Sequence, residues 1–223
     1  MITIGGHAPR PAQELIERYL RASAAAAGHV LEFGLADPAL RPLLSGCKIA
    51  GPALTVRTNG LDSAVVHIAL DLAEEGDVLV LDVSGDQRHA NWGEMTSLAA
   101  KRTGVAAAII DGALTDLAAV RTMGFQVYHR CVSALTSRGP GESGEINTVV
   151  HCAGVVVSPG DIVLGDEDGV LFVPSGRAEA VLAEVCEPRE AREVWMRAQL
   201  ASGRALSELS GAAGRVAAHR TPG

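Results

Sequence analysis

Two short apolar runs each end in an aspartate and then meet a glycine: LVLDVSG supplies Asp82 and Gly85, and AIIDG supplies Asp111 and Gly112. A carboxylate at the end of a buried strand can face a crevice, because ligands of open α/β sheets collect outside the carboxyl ends of the strands. It can equally cap the turn that follows. Two further carboxylates, Glu94 after Trp92-Gly93 and Asp116 after Thr115, fall at the starts of helices, where the dipole favours negative charge. Carboxylates at the mouths of adjacent strand-helix units can also bind a hard cation such as magnesium, which takes one or two carboxylates and keeps waters. The backbone amides of Gly93, Glu94, Met95 and Thr96 would point into the same crevice and suit an anion.

The elements that position these residues follow from hydrophobic period. DVLVLD (77–82) and VAAAIIDG (105–112) are short, branched and apolar throughout, as in strands buried on both faces. Helices are expected over 63–75, 93–102 and the stretch LTDLAAVRTM, the last starting near Thr115 or Asp116 and closed by Gly124. A helix is expected over 11–27, a loop over 33–46 and a first strand in CKIAGPALTVRT. After FQVYHR the chain turns β-rich from Val149, and Ser175 is expected to cap a long final helix that fades after Gly203. Alternating strands and helices followed by hairpins predict a layered α/β domain over 1–210, with a frayed tail over 211–223.

Composition narrows the function. The 223 residues carry 48% hydrophobic and 20% charged side chains, enough for a sizeable core. A net charge of -7 disfavours direct nucleic-acid binding through phosphate neutralisation. The N-terminal residues lack a secretory pattern and no run of eighteen apolar residues occurs, so no membrane association and a cytoplasmic location are expected. Four dispersed cysteines without metal-ligand spacing read as reduced, mostly buried small hydrophobes. GPGESG (139–144) matches a dinucleotide-loop spacing but follows no clear strand, and reads as a plain loop. His67 and His151 stand in apolar contexts and read as core or interface residues. Neither HExxH nor GxSxG is present.

The runs GPALTVRT, EEGDVLVLDVSGDQRHANWGEMTSLAAKRTGVAAAIIDGALTD and GVVVSPGDIVLGDEDGVLFVP resemble the RraA-like family over 51–174. That family holds 4-hydroxy-4-methyl-2-oxoglutarate and 4-carboxy-4-hydroxy-2-oxoadipate aldolases together with regulators of ribonuclease E. The resemblance implies a swivelling β/β/α domain, a layered sheet with flanking helices, assembled as a homotrimer or hexamer with sites between subunits. It implies a divalent metal, Mg or Mn, on Asp116, with Glu94 beside the metal's water shell. The amides around Met95 and Thr96, next to Gly93, would bind the pyruvyl carboxylate of a small oxo-acid substrate. Glu193, with Glu190 as the alternative, would approach from the C-terminal helix of a neighbouring subunit.

The chain departs from that pattern at Thr115, where the aldolases carry an arginine. A threonine hydroxyl gives one hydrogen bond and no charged fork. Loss of about 1.5 to 3 kcal/mol of charged hydrogen bonding corresponds to roughly ten- to hundredfold in rate. Arg88 and Arg57 are candidate replacements. His29 stands where many relatives have an acidic residue. The expected activity is metal-dependent carbon-carbon cleavage of a 2-oxo acid through an enolate. The alternatives are a protein-binding regulator without catalysis, or a branch acting on a substrate that lacks the pyruvyl carboxylate.

Overall fold

The computed structural model describes residues 1–219, so the last four residues of the expected tail lie outside the described residues. The chain runs β1 (Ile2–Ile4), α1 (Gln13–Arg21), α2 (Ala24–Gly28), β2 (Arg41–Pro42), β3 (Ile49–Arg57), α3 (Ala64–Leu72), β4 (Val78–Asp82), α4 (Glu94–Thr103) and β5 (Ala107–Leu114). It continues through α5 (Leu117–Met123), β6 (Val127–Val132), β7 (Gly144–Ile146), β8 (Val150–Cys152), β9 (Val155–Val157), β10 (Ile162–Gly165) and β11 (Val170–Val173). The helices α6 (Ala178–Val181), α7 (Glu187–Ala201), α8 (Leu206–Leu209) and α9 (Ala212–His219) close it.

Nine strands form one sheet with a path β1-β7-β3-β4-β5-β6-β2, and β10 and β11 branch from β3. The centre, β3-β4-β5-β6, is parallel, so the chain must cross over the sheet between strands, and α3, α4 and α5 make those crossovers. Strand alternation explains why β4 is apolar throughout. Leu79 and Leu81 pack under the helices with Val56, Trp92 and Ile110, while Val78 and Val80 pack on the opposite face with Ile109, Tyr128 and Phe172. Fully burying each such side chain contributes about 1.5 to 3 kcal/mol. A third cluster joins α1 to β10, β11 and α6 through Leu15, Ile16, Tyr19, Leu164 and Leu171.

The layered α/β architecture expected from the strand-helix alternation is the one observed, with three local differences. The helix expected over 11–27 is two helices, because Ser23 turns extended and its hydroxyl accepts the Ala26 amide at 3.1 Å as an N-cap. Ser175 opens a short 3-10 turn without capping it through its side chain, and a π-helical turn over Leu182–Cys186 joins α6 to α7. The segment expected to fray carries α9 over Ala212–His219, none of whose residues is buried.

Candidate functional site

The ends of β4 and β5 carry different work. Asp82 accepts from the Ser84 amide at 2.8 Å, from Arg57 Nε at 3.1 Å and from the His151 amide at 3.2 Å. Asp111, at a bulge between β5 and β6, accepts from Arg130 Nε and from the Ala153 amide. Both carboxylates are therefore consumed in pinning neighbouring loops, the turn-holding role rather than the crevice role. Arg57 is spent in the same way, on Asp82, Glu145 and the Val149 carbonyl. It is not available as a substrate cation.

The open carboxylates come one step later. Trp92 forms a bridge with Leu114, and the Thr115 amide donates to the Trp92 carbonyl at 2.9 Å, which lays the start of α4 against the end of β5. Trp92 is itself fixed by a hydrogen bond from Nε1 to Ser97 Oγ at 2.8 Å and by stacking on Phe125. Asp116 caps α5 in the left-handed conformation at φ 52°, which Asp tolerates better than most residue types. Its Oδ2 accepts from the Glu94 amide at 3.1 Å. Among the described residues nothing bonds Asp116 Oδ1 or the Glu94 carboxylate. A Cβ on Gly93 would stand 2.6 Å from both Asp116 Oδ2 and Thr115 Cγ2, so glycine is the residue that lets the two segments meet. Thr96 Oγ1 accepts the Gly93 amide at 2.9 Å, while no acceptor among the described residues lies on the amides of Met95 and Thr96.

These residues line one open hollow of about 250 Å³, whose walls include Gly93, Glu94, Met95, Thr96, Thr115 and Asp116. Six of the residues expected at the site are thus brought together. Arg88 is not among them: it is exposed outside that lining, on a turn organised by Asp86, while Glu193, expected to reach the site of a neighbouring copy, lies on α7 among Arg189, Arg197 and His29. Burial pushes the Asp86 carboxyl up, but the Arg88 and His89 amides and the His89 ring outweigh it and hold it below the ordinary carboxylate range.

His67, Asn91, Thr136 and Ser137 also line the hollow. His67 is exposed, which removes the core half of the core-or-interface expectation; its outward placement was readable, since Val65, Val66, Ala69 and Leu70 occupy the inward positions of α3. The 139–144 loop is held by Asp62, whose carboxylate accepts the amides of Ala64, Gly141, Glu142 and Ser143.

The donor set decides which metal could fit. No three His, Cys, Asp or Glu side chains gather as a cage among the described residues. One unclaimed aspartate oxygen with a second carboxylate on the same wall suits a hard, water-keeping ion such as Mg or Mn, and not a thiolate- or imidazole-bound metal.

Fold and site together define an α/β protein that presents carboxylates and free helix amides where two strand-helix units meet. The sequence profile of the RraA-like family, described as Aldolase/RraA, matches residues 25–172. The chain belongs to that family. It is 36% identical over 157 residues to a Halalkalibacterium halodurans protein named "Putative 4-hydroxy-4-methyl-2-oxoglutarate aldolase", an alignment covering 69% of this chain and 74% of that one. Streptomyces coelicolor RraAS2, described as an unusual member of the RNase ES inhibitor RraA protein family, superposes with a TM-score of 0.71 at 25% identity over 88% of this chain and all of that one. An uncharacterised Pseudomonas syringae protein shares the fold at a TM-score of 0.79 and 21% identity, covering 93% of this chain and 98% of that one. No helix among the described residues is long and apolar enough to cross a membrane.

Proposed function

We propose that this protein is a divalent-metal-dependent carbon-carbon lyase acting on a 2-oxo acid, by retro-aldol cleavage or by decarboxylation of an oxaloacetate-like substrate. The observation that carries the reading is the clasp between the Asp116 carboxylate and the Glu94 amide, which leaves Asp116 Oδ1 and the Glu94 carboxylate open beside two unpartnered amides. Kinship with the named aldolase supports lyase chemistry.

Asp116 would hold Mg or Mn with Glu94 alongside, and the bound ion supplies Lewis-acid polarisation of the 2-oxo group. The chain's own groups do the remaining work. The amides of Met95 and Thr96 receive a carboxylate at the positive end of α4, and Gly93 and Thr115 shape the wall beside it. As the carbon-carbon bond breaks, its electron pair passes to the carbon next to the 2-oxo group, giving an enolate that a proton then quenches. In the retro-aldol case the departing carbon's hydroxyl gives up its proton, which Glu94 takes in this reading. Glu193 from α7 of a neighbouring copy, in a homotrimer or hexamer, is the second proton carrier in this reading. Arg88 has no part in it.

The test is pyruvate release from 4-carboxy-4-hydroxy-2-oxoadipate, 4-hydroxy-4-methyl-2-oxoglutarate and oxaloacetate with Mg or Mn, then with chelator. Chelator-sensitive release that disappears in Asp116→Ala is expected; turnover unchanged by that substitution removes the proposal. A second reading, a regulator that binds another protein, is favoured by Thr115 and by the likeness to RraAS2. Absence of release from all three substrates, with no thermal shift from Mg plus oxo acid, selects it.

A further inference from the structure

An anionic substrate entering the hollow meets Glu94 and Asp116, and Thr115 brings no positive charge to offset them. Arg57 is committed to Asp82 and Glu145, and Arg130 to Asp111 and Asp37. The basic side chain that does line the hollow is His67. It is exposed on α3, and among the described residues its ring has neither a hydrogen bond nor an ion pair. A second hollow of about 270 Å³ between α3 and α4 is lined by His67, Met95 and Thr96 as well. These three residues therefore line both hollows, so the imidazole and the α4 residues with free amides border the same space. The charged groups that line the two hollows with it are acidic, Asp71 one turn along α3 and Glu94 and Asp116 across the hollow, while Arg138 adjoins the rim next to Ser137.

We infer that His67 anchors the substrate carboxylate in this chain, its ring N–H donating to the anion beside the amides of Met95 and Thr96, in the part an arginine at position 115 would otherwise play. The assignment of the anion as a 2-oxo acid rests on the lyase reading; the anchoring itself does not. No bond is made or broken by His67, so it is a binding residue. Its removal weakens ground state and transition state alike and moves KM more than kcat.

The probe is oxalate, a planar analogue of the enolate of pyruvate, titrated calorimetrically in the presence of Mg into wild type, His67→Gln, Thr115→Arg and the double variant. Because His67 is exposed, His67→Gln should unfold at the wild-type temperature. It should bind oxalate about ten- to hundredfold more weakly, the range of a lost charge-assisted hydrogen bond. Thr115→Arg should recover most of that loss in the double variant. Equal oxalate affinity in wild type and His67→Gln overturns the inference, and so does a wild type that fails to bind oxalate. Failure of the lyase reading looks different: no pyruvate release by wild type, with oxalate still lost in His67→Gln, removes the reaction and keeps the anchor.

Discussion

Gly93 and Asp116 share one space: a methyl group built on Gly93 falls 2.6 Å from Asp116 Oδ2, closer than any real side chain tolerates. The position of the proposed metal carboxylate is thus set by the absence of a side chain on the neighbouring segment. Both residues sit where β5 and α4 are stitched through Trp92.

Gly93→Ala is accordingly expected to push the Asp116 carboxylate off the Glu94 amide. The chain should remain folded, since Gly93 has an extended φ of -164° that alanine adopts, while Mn affinity measured by calorimetry falls at least about tenfold, the equivalent of one lost hydrogen bond to a charged group. Wild-type Mn affinity in Gly93→Ala would show that the crowding does not set the site.

The strand-end aspartates should separate cleanly in mutagenesis. Arg130→Ala strips Asp111 of its partly buried partner and is expected to destabilise the fold by about 2 to 4 kcal/mol in urea denaturation. Oxalate binding by the fraction that remains folded should match wild type. Asp116→Ala should do the reverse, losing the ligand with a small effect on stability.

Asp62 is one expected source of acid sensitivity. Burial raises its carboxyl, but four amide hydrogen bonds outweigh that and hold it below the usual carboxylate range. A lowered folded-state value contributes stability that is fully present above the unfolded value of about 3.9 and is lost as pH falls through the lowered one. Asp62→Asn should remove that dependence and destabilise by about 1 to 3 kcal/mol at neutral pH. Superimposable acid-unfolding curves for the two proteins would refute it.

The proposed sharing of sites between copies predicts complementation. Asp116→Ala and Glu193→Gln, each inactive alone, should regain pyruvate release when mixed after mild dissociation, because some mixed sites combine an intact Asp116 with an intact Glu193. If the mixture stays as inactive as its components, Glu193 does not act across subunits.

Much of this arrangement was legible in the residues. β4 and β5 announced themselves by unbroken branched apolar runs, and α5 by its closing glycine, Gly124, which is left-handed. Gly93, Glu94, Met95, Thr96 and Asp116 could be placed near one another because the ends of adjacent parallel strands must be neighbours, and Thr115 joined them through the resemblance to the RraA-like family. What sequence could not tell is which carboxylates are already spent: Asp82 and Asp111 are occupied by amides of His151 and Ala153, contributed from the distant β8 region. Asp62 was missed for the same reason, since its partners at 141–143 come from a loop far along the chain. His67 read as core or interface from its apolar context, and the face it occupies on α3, opposite Val65, Val66, Ala69 and Leu70, removes the core half of that reading.

The left-handed backbone at Asp116 restricts the alphabet of replacements there. Glutamate keeps the charge but fits that conformation poorly, and asparagine fits the conformation but gives up the charge, so aspartate satisfies both demands at once. Thr115, one residue earlier, is under no such backbone constraint. Over evolutionary time the two adjacent positions should therefore drift at different rates, one held by geometry and charge together, the other open to exchange as a lineage takes up new substrates.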